Sequence, residues 1–574
     1  MARGRGREAT AALTLVASLA AALTAASGVA TAASRAPGTV TPPPGSGINT
    51  PAALGDPRCD QDAGPYGRWS FVTVGSGPVC VRPFGKGERN GGATARGVTA
   101  KTITIVAVTQ NPEQTALQKQ QGGTPPTNNS TGQTGTMEDA LHDLFAAYEH
   151  AYETWGRAIN LEYVQSSGSD EASQRADALR VESYKPFAVL ETTPTGLPVL
   201  TAKVAQDGYV VMSNTTTTDN ALRQQPYRWG QADQVAVAVN AGEFVGKQLV
   251  GHDAEYAGDP SLRTTKRKLG VVYPPAVFDV KKWFLPQVEK RGGTVAPNAI
   301  LEYTSNGTTV GDPTAAEEQA PTIVAKLKDL GVTSVVMFTD VEMGKAMTAQ
   351  ATKLDYHPEW IIAGYQYQDL AILARGYDQD QWTHAFGISN LFPYVKPSSA
   401  NAASALDAVQ WYYGRGNGTS SIPGGAYVAW VMAGIQYAGP RLTPRTFRQG
   451  LFSVPAQGGA ASGQPLGFQT GYGRTVGLPY DEYLALGTDF APVWWDSQIG
   501  DAYSQIFASQ AKGGEWYVNG AKRYKAGQWP TKHLTFFDKA SAIQVFDTSP
   551  IAATAPNPCT GCPSEGGPGT PGAA

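Results

Sequence analysis

Leu269-Gly270-Val271-Val272-Tyr273, Ser334-Val335-Val336-Met337-Phe338 and Trp360-Ile361-Ile362-Ala363 are short, unbroken apolar runs of strand length. Ile300–Tyr303 is a fourth. Between them, Phe278–Lys290, Ala315–Leu330 and Glu342–Leu354 carry apolar residues three and four apart, the spacing of amphipathic helices. Strands that do not alternate with polar residues are buried on both faces. Interleaved with helices, they predict a parallel sheet with helices on each side.

The same alternation occurs upstream. Thr102–Val108 reads as a strand, and Met137–Ile159 as a helix with Leu141, Leu144, Phe145, Tyr148, Tyr152 and Trp155 on one face. The strand Leu161–Val164, the helix Glu171–Glu182, the strand Phe187–Leu190, a short helix Leu197–Gln206 and the strand Tyr209–Met212 follow. A long helix, Ala232–Val250, separates this series from the one beginning at Leu269. Two series joined near Tyr227–Gln234 predict two α/β lobes, as expected for a 574-residue chain too long for one core. Downstream, Ala426–Tyr437 reads as a helix, and later segments alternate less regularly.

The ends differ in composition. Arg3, Arg5 and Arg7, the apolar stretch Ala11–Ala26 and the small-residue site Ala30-Thr31-Ala32 read as a secretory signal over 1–32. Residues 33–56 form a Pro/Gly/Ser-rich linker, 57–96 a Gly-punctuated cap, and 549–574 a Pro/Gly-rich tail. Cys59, Cys80, Cys559 and Cys562, an even set in an exported chain, read as two local disulfides, Cys59 with Cys80 and Cys559 with Cys562. A four-cysteine metal site would need close spacing that the first pair lacks.

With 45 basic and 48 acidic residues, the formal net charge of −3 offers nothing to a polyanion, so nucleic acid is not an expected partner. Arg263 with Lys266-Arg267-Lys268 reads as a solvated loop before a strand. No Gly-x-Ser-x-Gly elbow, His-Glu-x-x-His motif or phosphate-binding loop occurs. Ser509-Gln510-Ala511-Lys512 has the Ser-x-x-Lys form without its companion motifs, and His142 and His150 lie eight apart on one helix. No catalysis, cofactor or metal is expected, a secreted hydrolase being the least favoured alternative.

The stretch Asn90-Gly91-Gly92-Ala93-Thr94-Ala95-Arg96-Gly97-Val98-Thr99-Ala100-Lys101-Thr102-Ile103 resembles the entry to the first strand of branched-chain-amino-acid-type (Leu/Ile/Val-binding) ABC-transporter substrate-binding proteins, in their long actinobacterial form. Gly425-Ala426-Tyr427-Val428-Ala429-Trp430 through Gly439, then Leu442-Thr443-Pro444, is similar to that family's late helix and following turn. The resemblance implies a type I periplasmic-binding fold, two Rossmann-like lobes with parallel sheets and three crossovers. Lobe one would hold 97–235 plus 384–455, and lobe two 236–383 plus 456–548. A small molecule would bind between them by hinge closure, for an ABC permease or, alternatively, for sensing or partner binding without transport.

Ser213, Asn214, Thr215 and Thr216 lie where the resemblance implies a carboxylate-binding turn; as residue types alone they also suit a helix N-cap. Thr192 and Thr193 occupy the matching turn one strand earlier. Thr109 and Gln110 end the first strand and face the cleft or merely begin a loop. On lobe two, Phe278 corresponds to an aromatic lid, Asp340 follows Phe338-Thr339, and Tyr365, Gln366 and Tyr367 follow the strand at 360–363. Gln366 stands where amino-acid binders carry an acid for the ligand's ammonium. The flanking tyrosines suggest an aromatic wall for a larger ligand, or core.

Overall fold

The computed structural model describes residues 84–545 except 86, 111–136, 169, 194–195, 214–215, 233, 276–278, 306–310, 392–424, 454–472, 475–477, 479–480, 483, 487–488 and 501–511. The four cysteines, the signal and linker segments, the Ser-x-x-Lys serine, Asn214, Thr215 and Phe278 lie outside the described residues.

The first sheet is built from β1 (Thr102–Thr109), β2 (Ala158–Gln165), β3 (Ala188–Glu191), β4 (Val210–Met212) and β5 (Arg228–Ala232). All are parallel, in the order β5-β4-β3-β1-β2. Helices α1 (Met137–Ala151), α2 (Glu171–Ser183), α3 (Pro198–Gln206) and α4 (Thr218–Arg223) make the connections. α5 (Gln234–Phe244) then leads into a π-helical turn, Val245–Leu249, and the second lobe.

There β6 (Leu269–Tyr273), β7 (Ile300–Glu302), β8 (Ser334–Met337), β9 (Glu359–Ile362) and β10 (Ala385–Ser389) repeat the plan in the parallel order β7-β6-β8-β9-β10. α6 (Pro313–Asp329) and α7 (Val341–Lys353) cover one face. The chain returns to the first lobe with α8 (Gly425–Ala438) and α9 (Pro444–Ser453), whose apolar residues join those of α1 against β1, β3 and β4. A two-residue ribbon, β11 (Gly473–Arg474) with β12 (Asp481–Glu482), precedes β13 (Leu484–Leu486), which lies parallel to β5 in the first sheet. The chain then crosses again: β14 (Ala491–Gly500), β15 (Lys512–Tyr517) and β16 (Ile543–Val545) extend the second sheet antiparallel from β10.

Three crossings therefore join two doubly wound sheets: after β5, after β10 and after β13. This is the two-lobed α/β architecture that the resemblance implies. Its boundaries differ from expectation. Ala385–Ser389 belongs to the second sheet, not the first lobe, because it pairs in register with β9 (Phe386 opposite Ile361) and with β14 (Phe386 opposite Trp494). Leu484–Leu486 belongs to the first sheet, not the second, through its pairing with β5.

Local expectations shift for identifiable reasons. The helix expected over 137–159 ends at Ala151, since Trp155 and Gly156 take left-handed backbone at φ 61° and 72°. Tyr152 and Trp155 are buried as periodicity required, but from the loop. Ala232 ends a strand instead of starting a helix: Arg-Trp-Gly-Gln-Ala lacks an apolar run, and its state is decided by pairing, of Arg228 and Trp229 with β4 and of Gly230 and Ala232 with Leu484 and Leu486. The helix expected over 278–290 is two short pieces, Val280–Trp283 and Leu285–Glu289, with Pro286 in the first turn of the second.

The segment that carries the resemblance is a clasp. The buried Arg157 side chain donates to four carbonyl oxygens: Thr99 at 2.8 Å, Pro440 at 2.9 Å, Asn90 at 2.6 Å and Gly92 at 3.2 Å. It ties the entry loop to the turn between α8 and α9. The basic cluster is not uniformly solvated. Lys266 is exposed, whereas the Arg267 side chain is fully buried against Glu359.

Candidate functional site

In an open parallel sheet, ligands gather outside the carboxyl ends of the strands, where the order reverses. In the first sheet that reversal falls between β1 and β3, where Val108 pairs with Glu191. Thr109 ends β1 here, fully buried, and its hydroxyl donates to Glu138 Oε1 on the first turn of α1 at 2.7 Å. Gln110 follows, half-buried. Thr192 donates its hydroxyl to the Val108 carbonyl at 2.9 Å.

Glu191, the last residue of β3, is 1% exposed. Its Oε1 accepts the Thr193 amide at 2.8 Å and the Thr193 hydroxyl; its Oε2 accepts the Ser213 hydroxyl from the end of β4 at 3.1 Å. Burial pushes the Glu191 carboxyl above its ordinary range, and these hydrogen bonds oppose the shift. Thr193 and Ser213, from the turns after two consecutive strands, thus meet on one carboxylate. Thr216 accepts from buried Arg228 Nε at 3.3 Å, and Thr217, not Ser213, caps α4. Glu191 is not singled out by the sequence pattern; the signal that could have found it is a charge directly after the apolar run Phe187–Leu190.

The matching edge of the second sheet is built around Asp340, the N-cap of α7. Its Oδ1 accepts the Met343 amide at 3.0 Å, while Oδ2 accepts the Tyr303 hydroxyl at 3.1 Å and the Ser305 hydroxyl at 2.9 Å. Burial raises the Asp340 carboxyl above its usual range against these bonds. Gly311 lies so close that a Cβ there would stand 2.3 Å from Asp340 Oδ1. Tyr303 and Ser305 close a strand whose sequence alone does not mark them.

After β9 the turn is tightly bent: Gly364, Gln366 and Tyr367 all have left-handed φ, 71°, 52° and 58°. Two non-glycine residues in that region are costly, and the surroundings must hold them. Tyr365 is buried edge-on against Phe338, a core position and not a cleft wall. Gln366 and Tyr367 are half-buried at the turn. The Gln368 amide nitrogen donates to the Thr339 carbonyl at 3.0 Å and hydroxyl at 2.9 Å. Its Oε1 is buried and meets no donor among the described residues. Asp369 is fully buried; after burial itself, its charge helps push the Tyr367 hydroxyl up to about 12.

Among the described residues, no three His, Cys, Asp or Glu side chains gather as a metal would require, and no helix is long and apolar enough to cross a membrane. No protein-family profile matches the chain, and no curated protein matches its sequence. Solved structures similar to it include a solute-binding protein of an ABC transporter from Rhodopseudomonas palustris in complex with 3,4-dihydroxybenzoic acid. It is 11% identical, covers 74% of this chain and 98% of its own, and has a TM-score of 0.43. A type 1 periplasmic binding protein from Bordetella pertussis is 12% identical over 69% of this chain and 96% of its own, with a TM-score of 0.41. An ABC-transporter substrate-binding protein from Desulfitobacterium hafniense in complex with Leu is 13% identical over 62% of this chain and 91% of its own, at 0.38.

Proposed function

We propose that this chain is an extracytoplasmic solute-binding protein that captures a small molecule between its lobes and presents it to an ABC permease. One observation carries the reading: two doubly wound sheets, joined by three crossings, each carry buried polar turns at their carboxyl edges. The crossing strands β5 and β13 lie side by side, Leu484 opposite Gly230, which suits a hinge. Thr109, Gln110, Thr192, Thr193, Ser213 and Thr216 supply the lobe-one wall; Asp340, Gln366 and Tyr367 supply that of lobe two. The signal-like segment 1–32 supports export, and no catalytic step belongs to this reading.

Native mass spectrometry of the purified protein identifies a co-purifying small molecule, and small-angle scattering measures closure. Removal and re-addition of the solute should expand and contract the chain. A solute that binds with no contraction, or one located outside the inter-lobe cleft in a complex, overturns the reading.

A further inference from the structure

The first crossing between the lobes does not run free. α5 and the π-helical turn Val245–Leu249 are overlaid by a strap from late in the chain, residues 527–536. Asn240 Oδ1 accepts the Trp529 indole N–H at 3.0 Å, and Glu243 Oε2 accepts the Gly527 amide at 2.5 Å. Within the turn, Gln248 accepts the Leu534 amide at 2.8 Å and donates its Nε2 to the carbonyls of Pro530 at 2.5 Å and Lys532 at 3.2 Å. Trp529 and Phe536 pack edge-on to Phe244. A π-helical turn is rare and recurs at functional sites. Here the strap supplies the partners of its polar side chain.

One further contact closes the strap, and it is of a different kind. His252 lies three residues beyond the turn, its amide bonded to the Leu249 carbonyl at 3.1 Å. Its ring stacks on that of His533 in the strap, with centroids 4.7 Å apart and planes at 27°. His533 Nε2 lies 3.0 Å from Glu255 Oε1, while its Nδ1 is buried and meets no partner among the described residues. A neutral imidazole carries one N–H and one lone pair, which suits this setting; a proton added at Nδ1 would find no acceptor. Facing His252 are His533, Glu255 on its own loop, and Lys266 and Arg267 on the segment before β6. Lys266 is paired with Asp253 at 2.9 Å and Arg267 with Glu359 at 2.8 Å. Among the described residues, Glu255 is the carboxylate left to the two rings.

We propose that the His252–His533 stack is an acid-released latch: neutral rings hold the strap on the first crossing, and protonation of the pair frees it. The inference goes beyond solute binding, for it concerns how firmly the crossing is held to the second lobe whatever the solute. Two like charges face to face repel, whereas in a released strap each ring takes its proton in water near its ordinary value of about 6.5. The released form binds more protons, so the latch is complete above that value and is lost as pH falls.

Hydrogen exchange of the full mature chain, read by mass spectrometry at pH 7 and pH 5.5 with times scaled for the chemical exchange rate, tests this. The Leu534 and Phe536 amides, which donate to Gln248 and to the Tyr256 hydroxyl, should exchange at least about fourfold faster in acid, the scale of like charges at this separation in water. Residues 245–252 should follow, while β8 and the first sheet stay protected. His252→Phe keeps a stacked ring without a charge and should hold the strap equally at both pH values; His252→Gln serves if that variant does not fold. Gln248→Ala should loosen the strap at both pH values, since it removes bonds that do not titrate. Equal protection of 527–536 at the two pH values in the natural chain overturns the latch. Acid release that persists in the His252 variants overturns its assignment to this stack. Equal loss in the first sheet would mean general acid unfolding and overturns it as well.

Discussion

The Arg267 guanidinium grips the Glu359 carboxylate through two hydrogen bonds of 2.8 Å, with both side chains at 0% exposure. Glu359 opens β9, and its oxygens also accept the Ser334 hydroxyl at 2.6 Å and the Tyr256 amide at 3.0 Å. The pair fastens the loop before β6 beneath the second sheet. Removing one partner strands a buried charge, at a cost of about 3–5 kcal/mol. Arg267→Ala or Glu359→Ala should lower the urea midpoint correspondingly. Lys266→Ala, which breaks the exposed 2.9 Å contact with Asp253, should cost under about 1 kcal/mol. Equal effects at 266 and 267 would contradict the burial difference.

Arg157 makes a second, differently organised clasp, with four carbonyl acceptors and no carboxylate. Its geometry depends on the planar fork of the guanidinium. Arg157→Ala should destabilise the first lobe by about 3 kcal/mol, at about 1 kcal/mol or somewhat more per lost buried bond after relaxation. Arg157→Lys should recover only part of this in denaturant titration, because an ammonium cannot reach acceptors arrayed on both sides. Full rescue by lysine would show that charge alone matters.

Gly387 reports on the corrected lobe boundary. A Cβ there would stand 2.0 Å from the Ile362 carbonyl oxygen, and its φ is 157°. Gly387→Ala should therefore disturb the pairing of β9 with β10 and destabilise the second lobe by about 3 kcal/mol or prevent folding. Hydrogen exchange should show the loss in 359–362 and 491–495 while the first sheet stays protected. Loss confined to the first sheet would restore the earlier boundary.

Acid should weaken the second lobe through its histidines. His252 stacks on His533 at 4.7 Å, and His533 Nε2 lies 3.0 Å from Glu255. Burial, then the charges of His533 and Arg267, hold the His252 imidazole below its ordinary 6.5. Burial likewise lowers His384, whose Nδ1 lies 2.9 Å from the Tyr256 carbonyl oxygen. A lowered folded pKa means that the unfolded chain binds protons first. Stability is then complete above about pH 6.5 and is lost as pH falls toward the folded value. The melting temperature should decline from pH 7 to pH 5.5, and His252→Gln should flatten that decline. The raised carboxyls of Glu191 and Asp340 act with the opposite sign: their contribution is present below the ordinary carboxylate range and is lost as pH rises through their folded values.

Much of the fold was legible because apolar runs and helical spacing are local. Leu269–Tyr273, Ser334–Met337 and Thr102–Thr109 are strands within a residue of their expected ends. β5 was not legible: its residues carry no strand pattern, and only β4 and β13 on its two sides hold it extended. The candidate site was legible as turns. Thr109, Thr192, Thr193, Ser213 and Asp340 all lie at carboxyl edges. Glu191, Tyr303 and Ser305 were missed, because a charge or hydroxyl at a strand end gains its role from a partner many residues away.

The sequence by itself determined two alternating α/β series, the burial of their strands and the placing of polar turns after them, since these follow from short-range pattern and propensity. The tertiary structure alone decided where each crossing falls, which arginine of a basic cluster is buried, and which way each hydroxyl proton points. Those outcomes depend on register and on contacts such as Ser213 with Glu191, which no local spacing encodes.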